Sequence, residues 1–403
     1  MVENIHMPWL HDHHSHVSLY AALAGCPDLS GRSLAEAITL LEGLPEDRLT
    51  TVVGWHSSRL QLTPAQLEAL PPAILVNFSL HGFALTAGAR RLLADHPELL
   101  EHQEDPEWCE RNMERLLVFF GQSAGLTAAK LDAFMLKLQA GGIGSVEDML
   151  LTDEASLAVI QGSPWSGRIR CWTTPAIFRT LSVPAQARIA GLKLFTDGAV
   201  GARTAAMDGA FLDGGRGMLV YADSALAQTV ADLLPLGKPL AIHAIGARAV
   251  DQVLTALERL TAQGLSLPRI RMEHVQFIQP AQARRAKALG LVLSMQPNFN
   301  SDSEDYADRL GARELEANNP FRMLLDQAGF VCGEDLIFGS DGMPHGLEYA
   351  LQWSLFPAFP GQRLSLEELK AGYGLPPEGQ GWASLSVDTD RRRVRLLQSL
   401  PTP

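Results

Sequence analysis

Basic charge is scarce in this sequence, and the shortage bears on what the protein binds. The 403 residues include 33 Lys and Arg against 45 Asp and Glu, which gives a formal net charge of −12. A protein that binds the phosphate backbone needs a basic surface, so nucleic acid is not expected as a partner. The sign of the charge at an active site stays open, because local and total charge can differ.

Cysteine is sparse as well. Cys26, Cys109, Cys171 and Cys332 are far apart in the sequence and form no CxxC pair. Such spacing does not make a zinc ribbon, and four cysteines in 403 residues are too few for a disulfide framework. We expect all four to be reduced residues of the core.

Long apolar runs are missing too. No window of about 18 apolar residues occurs, so no membrane span and no membrane partner are predicted. The N-terminus has an acidic residue, Glu3, and no long apolar stretch behind it, which argues against a signal peptide. The expected location is therefore the cytoplasm. At 46% hydrophobic and 19% charged residues, the composition is that of an ordinary globular protein.

What is present, from about residue 140 onward, is an alternation of short apolar runs with longer amphipathic stretches. Short runs of this kind are typical of strands buried on both faces, and the alternation predicts a parallel sheet with helices outside. With a first strand at 8–13 the runs number eight, which predicts a closed (β/α)8 TIM-type barrel. The other seven runs are 144–146, 168–173, 191–195, 239–243, 269–274, 291–295 and 336–339.

The stretch 26–138 is too long for one strand–helix unit. It contains two strand-like runs, 49–55 and 73–79, followed by a long helical region rich in Leu, Glu and Arg. We interpret it as a large insertion after the first barrel strand.

The C-terminal residues form a separate short element. Two alternating pieces, 385–387 and 393–397, predict a hairpin around 388–390. The predicted domains are thus a barrel at 1–384, which contains the insertion, and a β tail at 385–403.

Histidines cluster near the N-terminus, where residues 11–16 read HDHHSH. Side chains alternate along a strand, so His14 and His16 point the same way while His13 points the opposite way. Two imidazoles so placed at the end of a strand make a bidentate metal site. A polar loop with solvated histidines is the alternative.

Three more candidate ligands close predicted strands. His243 ends Pro-Leu-Ala-Ile, His274 ends Arg-Ile-Arg-Met-Glu, and Asp341 ends Leu-Ile-Phe-Gly-Ser. Barrel enzymes place their active sites at this end of the strands. One histidine there is more often a hydrogen-bonded core residue, but four histidines and an aspartate favour a metal site, since imidazole and carboxylate are common ligands of zinc and its neighbours.

Lys193 lies between leucines in a predicted central strand. A charged lysine there would carry a large desolvation cost, which can lower its pKa and make the amine nucleophilic. One outcome is reaction with CO2 to a carbamate, whose two oxygens could bridge two metal ions. Pairing of Lys193 with Asp197 or another carboxylate is the alternative, and the sequence leaves both open.

A set of short motifs resembles the amidohydrolase superfamily. The segment that begins at Lys193 and ends at Thr204-Ala205 fits the pattern K-x-F-x-D-G-x-x-G-x-x-T-A, which is frequent in the YtcJ-like branch. The motifs follow the family order over most of the chain. They are Asp12-x-His14-x-His16, Gly-Leu-Lys-Leu-Phe-Thr-Asp-Gly (191–198), Ile-His-Ala-Ile-Gly (242–246), Glu-His (273–274), Ser-Met-Gln-Pro (294–297) and Gly-Ser-Asp (339–341).

The resemblance implies a metal centre in which each ligand has a known role. In the family the HxH pair binds one metal, a lysine that is often carboxylated bridges to a second, and two further histidines bind that second metal. The final aspartate contacts the first metal and moves protons, which makes Asp341 the expected catalytic residue. One or two divalent ions are expected, zinc first, with manganese, iron or nickel as alternatives. The implied ligands are His14, His16, Lys193, His243, His274 and Asp341.

The chain departs from the family pattern at both ends. Family members usually begin with several dozen residues of β-structure and close that small domain with C-terminal strands. Here His14 comes early and the tail after Asp341 is short. We therefore expect the small β domain to be vestigial or absent, which leaves a homodimer open.

The implied activity is metal-dependent hydrolysis of a non-peptide C–N bond in a small-molecule substrate, such as an amide, a cyclic amide or an N-acyl or N-formyl amine. A non-catalytic paralogue that binds metal or a partner is one alternative. A heterocycle deaminase is another, although such sites often lack the bridging lysine. The expected substrate contacts are His81, Arg203, Gln296 and His345, and the residues expected to orient ligands are Asp12, Asp197 and Glu273.

Overall fold

The computed structural model describes residues 1–55, 60–77, 80, 82–103, 105–377 and 381–402. Within those ranges the strands are β1 (Val2–Pro8), β2 (Leu10–Ser15), β3 (Thr50–Trp55), β4 (Ala73–Asn77), β5 (Phe83–Leu85), β6 (Ile143–Asp148), β7 (Ile169–Thr173), β8 (Gly191–Phe195), β9 (Leu240–Ala244), β10 (Ile270–His274), β11 (Val292–Met295), β12 (Leu336–Phe338), β13 (Gly381–Asp388) and β14 (Arg393–Pro401).

The helices found in the same ranges are α1 (Val17–Leu23), α2 (Leu34–Glu42), α3 (Pro64–Ala69), α4 (Ala87–Leu92), α5 (Pro97–His102), α6 (Pro106–Arg111), α7 (Met113–Ala124), α8 (Ala128–Ala140), α9 (Glu154–Gln161), α10 (Pro175–Thr180), α11 (Val183–Arg188), α12 (Asp223–Leu233), α13 (Ala247–Ala262), α14 (Pro280–Ala288), α15 (Asp302–Asp305), α16 (Ala312–Ala317), α17 (Phe321–Asp326), α18 (Leu347–Leu355) and α19 (Leu366–Tyr373). Short 3-10 helices span Leu234–Leu236, Pro297–Ser301 and Pro360–Gln362. None of these helices is long and apolar enough to cross a membrane.

The chain divides into two compact units. One comprises Met1–Val17, Asp132–Leu151 and Ile160–Pro403, and the other comprises Ser18–Leu131 and Thr152–Val159. The chain therefore leaves the first unit twice, once after β2 and once after β6.

Eight parallel strands form the centre of the first unit, in the order β2-β6-β7-β8-β9-β10-β11-β12. Most of their residues are buried, which explains why the strands appear in the sequence as nearly continuous apolar runs. The predicted TIM-type barrel is confirmed. The predicted first strand, 8–13, is shifted, because β1 ends at Pro8 and the barrel strand β2 spans Leu10–Ser15.

Helix α13 illustrates how the outer layer is built. Its buried residues recur three and four positions apart, so they form one apolar face on the helix. The helix follows β9 directly and starts after Gly246. A β-carbon on Gly246 would lie 2.1 Å from the carbonyl oxygen of Ala206, so a side chain there would collide with the loop after β8.

A second, antiparallel sheet belongs to the same unit. Strand β1 pairs with β13, and β13 pairs with β14. The predicted C-terminal hairpin is present, and its first strand, β13, begins at Gly381, four residues before the predicted start at 385. The small β domain expected to be vestigial or absent consists of these three strands, and the N-terminal residues take part in it.

The second unit contains its own small sheet, in which β3 pairs parallel with β4 and β4 pairs antiparallel with β5. The strand-like runs predicted at 49–55 and 73–79 correspond to β3 and β4, although residues 78–79 lie outside the described ranges. The insertion predicted at 26–138 needs correction. The unit spans 18–131 and also takes in 152–159, a segment separated from it by β6.

Gly191 at the start of β8 provides a test of the barrel packing. A β-carbon at this position would lie 2.1 Å from the ring of Trp172, a 3% exposed residue of β7. We predict that Gly191→Ala lowers the free energy of unfolding by about 1–3 kcal/mol, because the buried ring has little room to move. Gly167→Ala is the control, since a β-carbon there meets nothing within 4 Å. Urea unfolding of both variants measures the difference, and equal midpoints would contradict the packing described.

Candidate metal centre

The six predicted ligands converge at the carboxyl ends of the barrel strands. His14 and His16 come from the end of β2, Lys193 from β8 and His243 from β9. His274 is the last residue of β10, and Asp341 follows β12. The structure brings together side chains that are up to 327 positions apart in the sequence, because parallel barrel strands end on one face.

The spacing of the donor atoms fits a divalent cation. The Nε2 atom of His14 lies 3.5 Å from Lys193 Nζ and 3.6 Å from Asp341 Oδ1, and His16 Nε2 lies 3.1 Å from the same oxygen. Ligand atoms bonded at about 2.0–2.2 Å around a tetrahedral zinc are separated by roughly 3.2–3.6 Å. Single donor atoms of His14, His274 and Asp341 also lie within 4.8 Å of one another.

Hydrogen bonding fixes the tautomer of His14. Its Nδ1 donates to the Glu273 carboxylate at 2.6 Å, which leaves the lone pair on Nε2 for a metal. Burial, aided by the charge of Lys193, lowers the pKa of His14 to about 4, although Glu273 opposes the shift. His14 is therefore neutral at pH 7, which is the form that binds a metal.

Two further histidines of the centre, His274 and His243, are oriented in the same manner. His274 Nδ1 donates to Gln296 Oε1 at 2.7 Å, so its Nε2 carries the lone pair. His243 Nε2 donates to the carbonyl oxygen of Gly198 at 3.1 Å, so in His243 the lone pair is on Nδ1. The rings of His243 and His274 lie 4.5 Å apart between centroids. Burial, followed by the charges of His243 and His14, holds the pKa of His274 well below its usual range.

Lys193 is fully buried, and burial lowers its pKa to about 8 against the opposing charges of Glu273 and Asp341. No carboxylate in the described ranges lies within ion-pair distance of its Nζ atom. The alternative in which Lys193 pairs with Asp197 or another carboxylate is therefore not found in the described ranges. The Asp197 carboxylate accepts hydrogen bonds from the backbone N–H groups of Ala206, Ile245 and Gly246 instead.

Asp341 is held by backbone and side-chain contacts. Its φ is +55°, an uncommon value for a residue other than glycine, and its N–H donates to the carbonyl oxygen of His14. Burial alone would raise the pKa of Asp341, but His16, His14 and His274 together hold it well below the usual value. Asp12 supports the loop by accepting hydrogen bonds from the N–H groups of His14 and Ser340.

A buried charge network that was not predicted from the sequence lies beneath the centre. Arg271 donates to Glu273 Oε1 at 2.9 Å and to Glu147 Oε2 at 2.7 Å, and all three side chains are at most 5% exposed. The available signal was the pair Arg271 and Glu273, which stand two residues apart in β10 and which alternation puts on one side of the strand.

The predicted substrate contacts lie in different settings. Gln296 lies against His274, and Arg203 is exposed and pairs with Asp213 at 3.5 Å. His345 Nε2 lies 2.7 Å from Ser15 Oγ. His81 lies outside the described residues. Contact of these four residues with a substrate stays a prediction.

A (β/α)8 barrel with histidines, a lysine and an aspartate at its strand ends has the architecture of a metal-dependent hydrolase. The model of the Amidohydrolase family matches residues 5–351. The chain therefore belongs to the amidohydrolase family, which confirms the family resemblance seen in the sequence.

Two curated relatives match part of the chain. The amidohydrolase YtcJ of Bacillus subtilis is 30% identical over 144 residues, which is 35% of this chain and 27% of that protein. The Arabidopsis thaliana protein LONG AFTER FAR-RED 3 is 32% identical over 143 residues, 34% of this chain and 24% of that protein. The matched part thus covers about a quarter of each relative.

Solved structures resemble the chain over a longer stretch. A metal-dependent hydrolase from Pyrococcus furiosus has a TM-score of 0.69 at 22% identity, covering 92% of this chain and 81% of that one. Its counterpart from Pyrococcus horikoshii has a TM-score of 0.65 at 22% identity, with coverages of 92% and 78%. At this identity the likeness shows the fold alone.

The hydrogen bond between Gln296 and His274 yields a prediction about metal affinity. Gln296→Leu removes the acceptor for His274 Nδ1, so the ring is no longer fixed in the tautomer with its lone pair on Nε2. We expect affinity for zinc to fall about 10- to 100-fold, as is typical when such a partner is lost. Gln296→Glu is the control, because it keeps an acceptor oxygen. Competition with a chromogenic chelator measures both, and equal affinities for Leu and Glu variants would refute the role.

Proposed function

We propose that this protein is a hydrolase that uses a divalent metal to cleave a non-peptide C–N bond in a small molecule. The observation that carries the proposal is the convergence of six candidate ligands at one end of the barrel: His14, His16, Lys193, His243, His274 and Asp341. Donor atoms of His14, His16, Lys193 and Asp341 lie at separations that suit a shared cation. Membership of the amidohydrolase family supports it. The substrates we favour are amides, cyclic amides and N-acyl or N-formyl amines.

The metal we propose is zinc, in one or two ions per chain, with manganese, iron or nickel as alternatives. The donor set supports this choice, since neutral imidazole nitrogen and carboxylate oxygen are the ligands that zinc and its neighbours prefer. A bound divalent cation would supply Lewis acidity that polarises the scissile carbonyl and acidifies a water molecule.

Asp341 is the proposed proton carrier. It is ionised at neutral pH, since its pKa is held below the usual value, and its Oδ1 lies among the imidazoles of the centre. In hydrolysis of a C–N bond the attacking water loses a proton and the leaving nitrogen gains one. Asp341 would accept the first proton at a carboxylate oxygen and deliver it to the nitrogen.

Replacement of Asp341 by asparagine tests this role. The amide has nearly the same size and offers an oxygen, but it does not take a proton at neutral pH. We expect Asp341→Asn to keep most of its metal and to lose about 10²- to 10⁴-fold in kcat, with a smaller change in KM. The assay would use an N-acyl substrate, or a chromogenic ester, that the wild type hydrolyses in a chelator-sensitive way.

His274→Asn is the matched comparison for Asp341→Asn, because it removes a candidate ligand instead of a proton carrier and should lose metal together with activity. Elemental analysis separates the two outcomes. If metal-loaded Asp341→Asn stays within about threefold of the wild-type kcat, another residue moves the proton. If the wild type hydrolyses no substrate and binds no divalent metal, the proposed function itself fails.

We further propose that Lys193 carries a carbamate when two metals are bound. The lysine is fully buried and its pKa is lowered to about 8, so a fraction of the amine is neutral and nucleophilic near neutral pH. Its Nζ lies 3.5 Å from His14 Nε2, so the oxygens of a carbamate on Nζ would lie among the candidate ligands.

Labelling with 13C bicarbonate tests the carbamate. The zinc-loaded wild type should give a carbamate carbon signal by NMR, and Lys193→Ala should lose that signal together with about one equivalent of metal. Lys238→Ala is the control, because Lys238 donates to the carbonyl oxygen of Ile189 and lies outside the centre. Two tightly bound metals without any carbamate signal would rule out the modification.

A further inference from the structure

A second group of metal-binding side chains lies outside the candidate metal centre. It consists of His11, His13 and Glu147, whose donor atoms lie within 4.8 Å of one another. His11 and His13 are the two histidines of the run 11–16 that the candidate centre does not use. They occupy the second and fourth positions of β2, which starts at Leu10.

The group borders a cavity of about 340 Å³. Pro239, Arg269 and Gly333, which also line the cavity, come just before or near the starts of barrel strands β9, β10 and β12. The cavity therefore lies at the amino-terminal end of the barrel, opposite the strand ends that carry the candidate metal centre. It has room for several water molecules.

The three donors are spaced like the ligands of one cation. Glu147 Oε1 lies 3.5 Å from His11 Nε2 and 3.3 Å from His13 Nδ1. These distances match the roughly 3.2–3.6 Å between ligand atoms around a tetrahedral zinc. His11 Nδ1 is 2.6 Å from Ser145 Oγ, a hydroxyl that can accept its hydrogen and leave the lone pair on Nε2.

Glu147 is ionised and fixed with one oxygen toward the histidines. Its Oε2 accepts hydrogen bonds from Trp172 Nε1 at 2.6 Å and from Arg271 at 2.7 Å. Burial would raise the pKa of Glu147, but the charge of Arg271 and the contacts with His11 and His13 hold it well below the usual value. Oε1 is left to face the two imidazoles.

Two arginines near Glu147 oppose the binding of a cation here. They do so to different extents. Arg271 shares its charge between Glu147 and Glu273, so it is already compensated. Arg170 donates to Glu147 Oε1 itself at 3.2 Å and competes directly for that oxygen. Its side chain is 59% exposed, so it can move into solvent when a cation arrives.

We propose that His11 Nε2, His13 Nδ1 and Glu147 Oε1 bind a further divalent metal ion, with water from the cavity completing the coordination. Zinc fits this set of two imidazoles and one carboxylate. The ion would link β2 to β6, two strands whose pairing is irregular on either side of His11 and Asp12. The inference does not depend on the proposed hydrolase activity.

Zinc binding by the full-length metal-free protein tests the site. We expect His11→Leu to bind one equivalent of zinc less than the wild type in equilibrium dialysis. The variant His14→Ala/His16→Ala should instead lose zinc from the candidate metal centre. His6→Leu is the control, since His6 is exposed and its Nδ1 atom forms a hydrogen bond with the hydroxyl of Ser384, outside both metal sites. A His11→Leu protein with wild-type circular dichroism and an unchanged zinc count would overturn the proposal.

Arg170→Ala gives a readout that a purely structural role would not move. Removal of the competing cation should tighten zinc binding at this site by about two- to fivefold, because the exposed Arg170 no longer competes for Glu147 Oε1. Anomalous scattering from zinc-soaked wild-type crystals decides the case even if a variant fails to fold. A peak between His11, His13 and Glu147 supports the site, and its absence at saturating zinc refutes it.

Discussion

The ion pairs of Arg271 are the constraint on which the rest of the barrel interior depends. Burying a carboxylate without a partner costs several kcal/mol, and both Glu147 and Glu273 are buried here. Arg271 bridges them, so each can stay ionised and each has an oxygen left for a histidine. The guanidinium of Arg271, one layer deeper in the barrel, thus determines the orientation of His14 through Glu273.

Orientation by neighbours is repeated around the candidate metal centre. His14, His243 and His274 each donate one ring N–H to a fixed acceptor, which leaves the other nitrogen as a lone pair. Positive φ angles at His274 and Asp341 show that backbone strain is also concentrated at this end of the barrel. A metal entering such a site meets donors that are already in place, so little ordering is needed on binding.

The barrel and the convergence of the candidate ligands could be predicted, because each candidate ligand interrupts or ends an apolar run and the strand ends of a parallel barrel share one face. The network through Arg271 could not be predicted, because nothing in the sequence indicates that a residue of β6 faces β10 across the barrel interior. The separate unit was predicted with wrong limits for a similar reason. Its segment 152–159 lies beyond β6 in the chain, and only tertiary packing assigns it there.

The pairing of β1 with β13 has a consequence for the order of folding. Val2 pairs with Asp388, so this antiparallel ladder joins residues that are almost the whole chain apart. Loop-closure entropy opposes such a contact until the intervening barrel has formed. During synthesis β1 therefore stays unpaired until β13 has left the ribosome. Throughout that interval the edge of β1 is open to pairing with other chains.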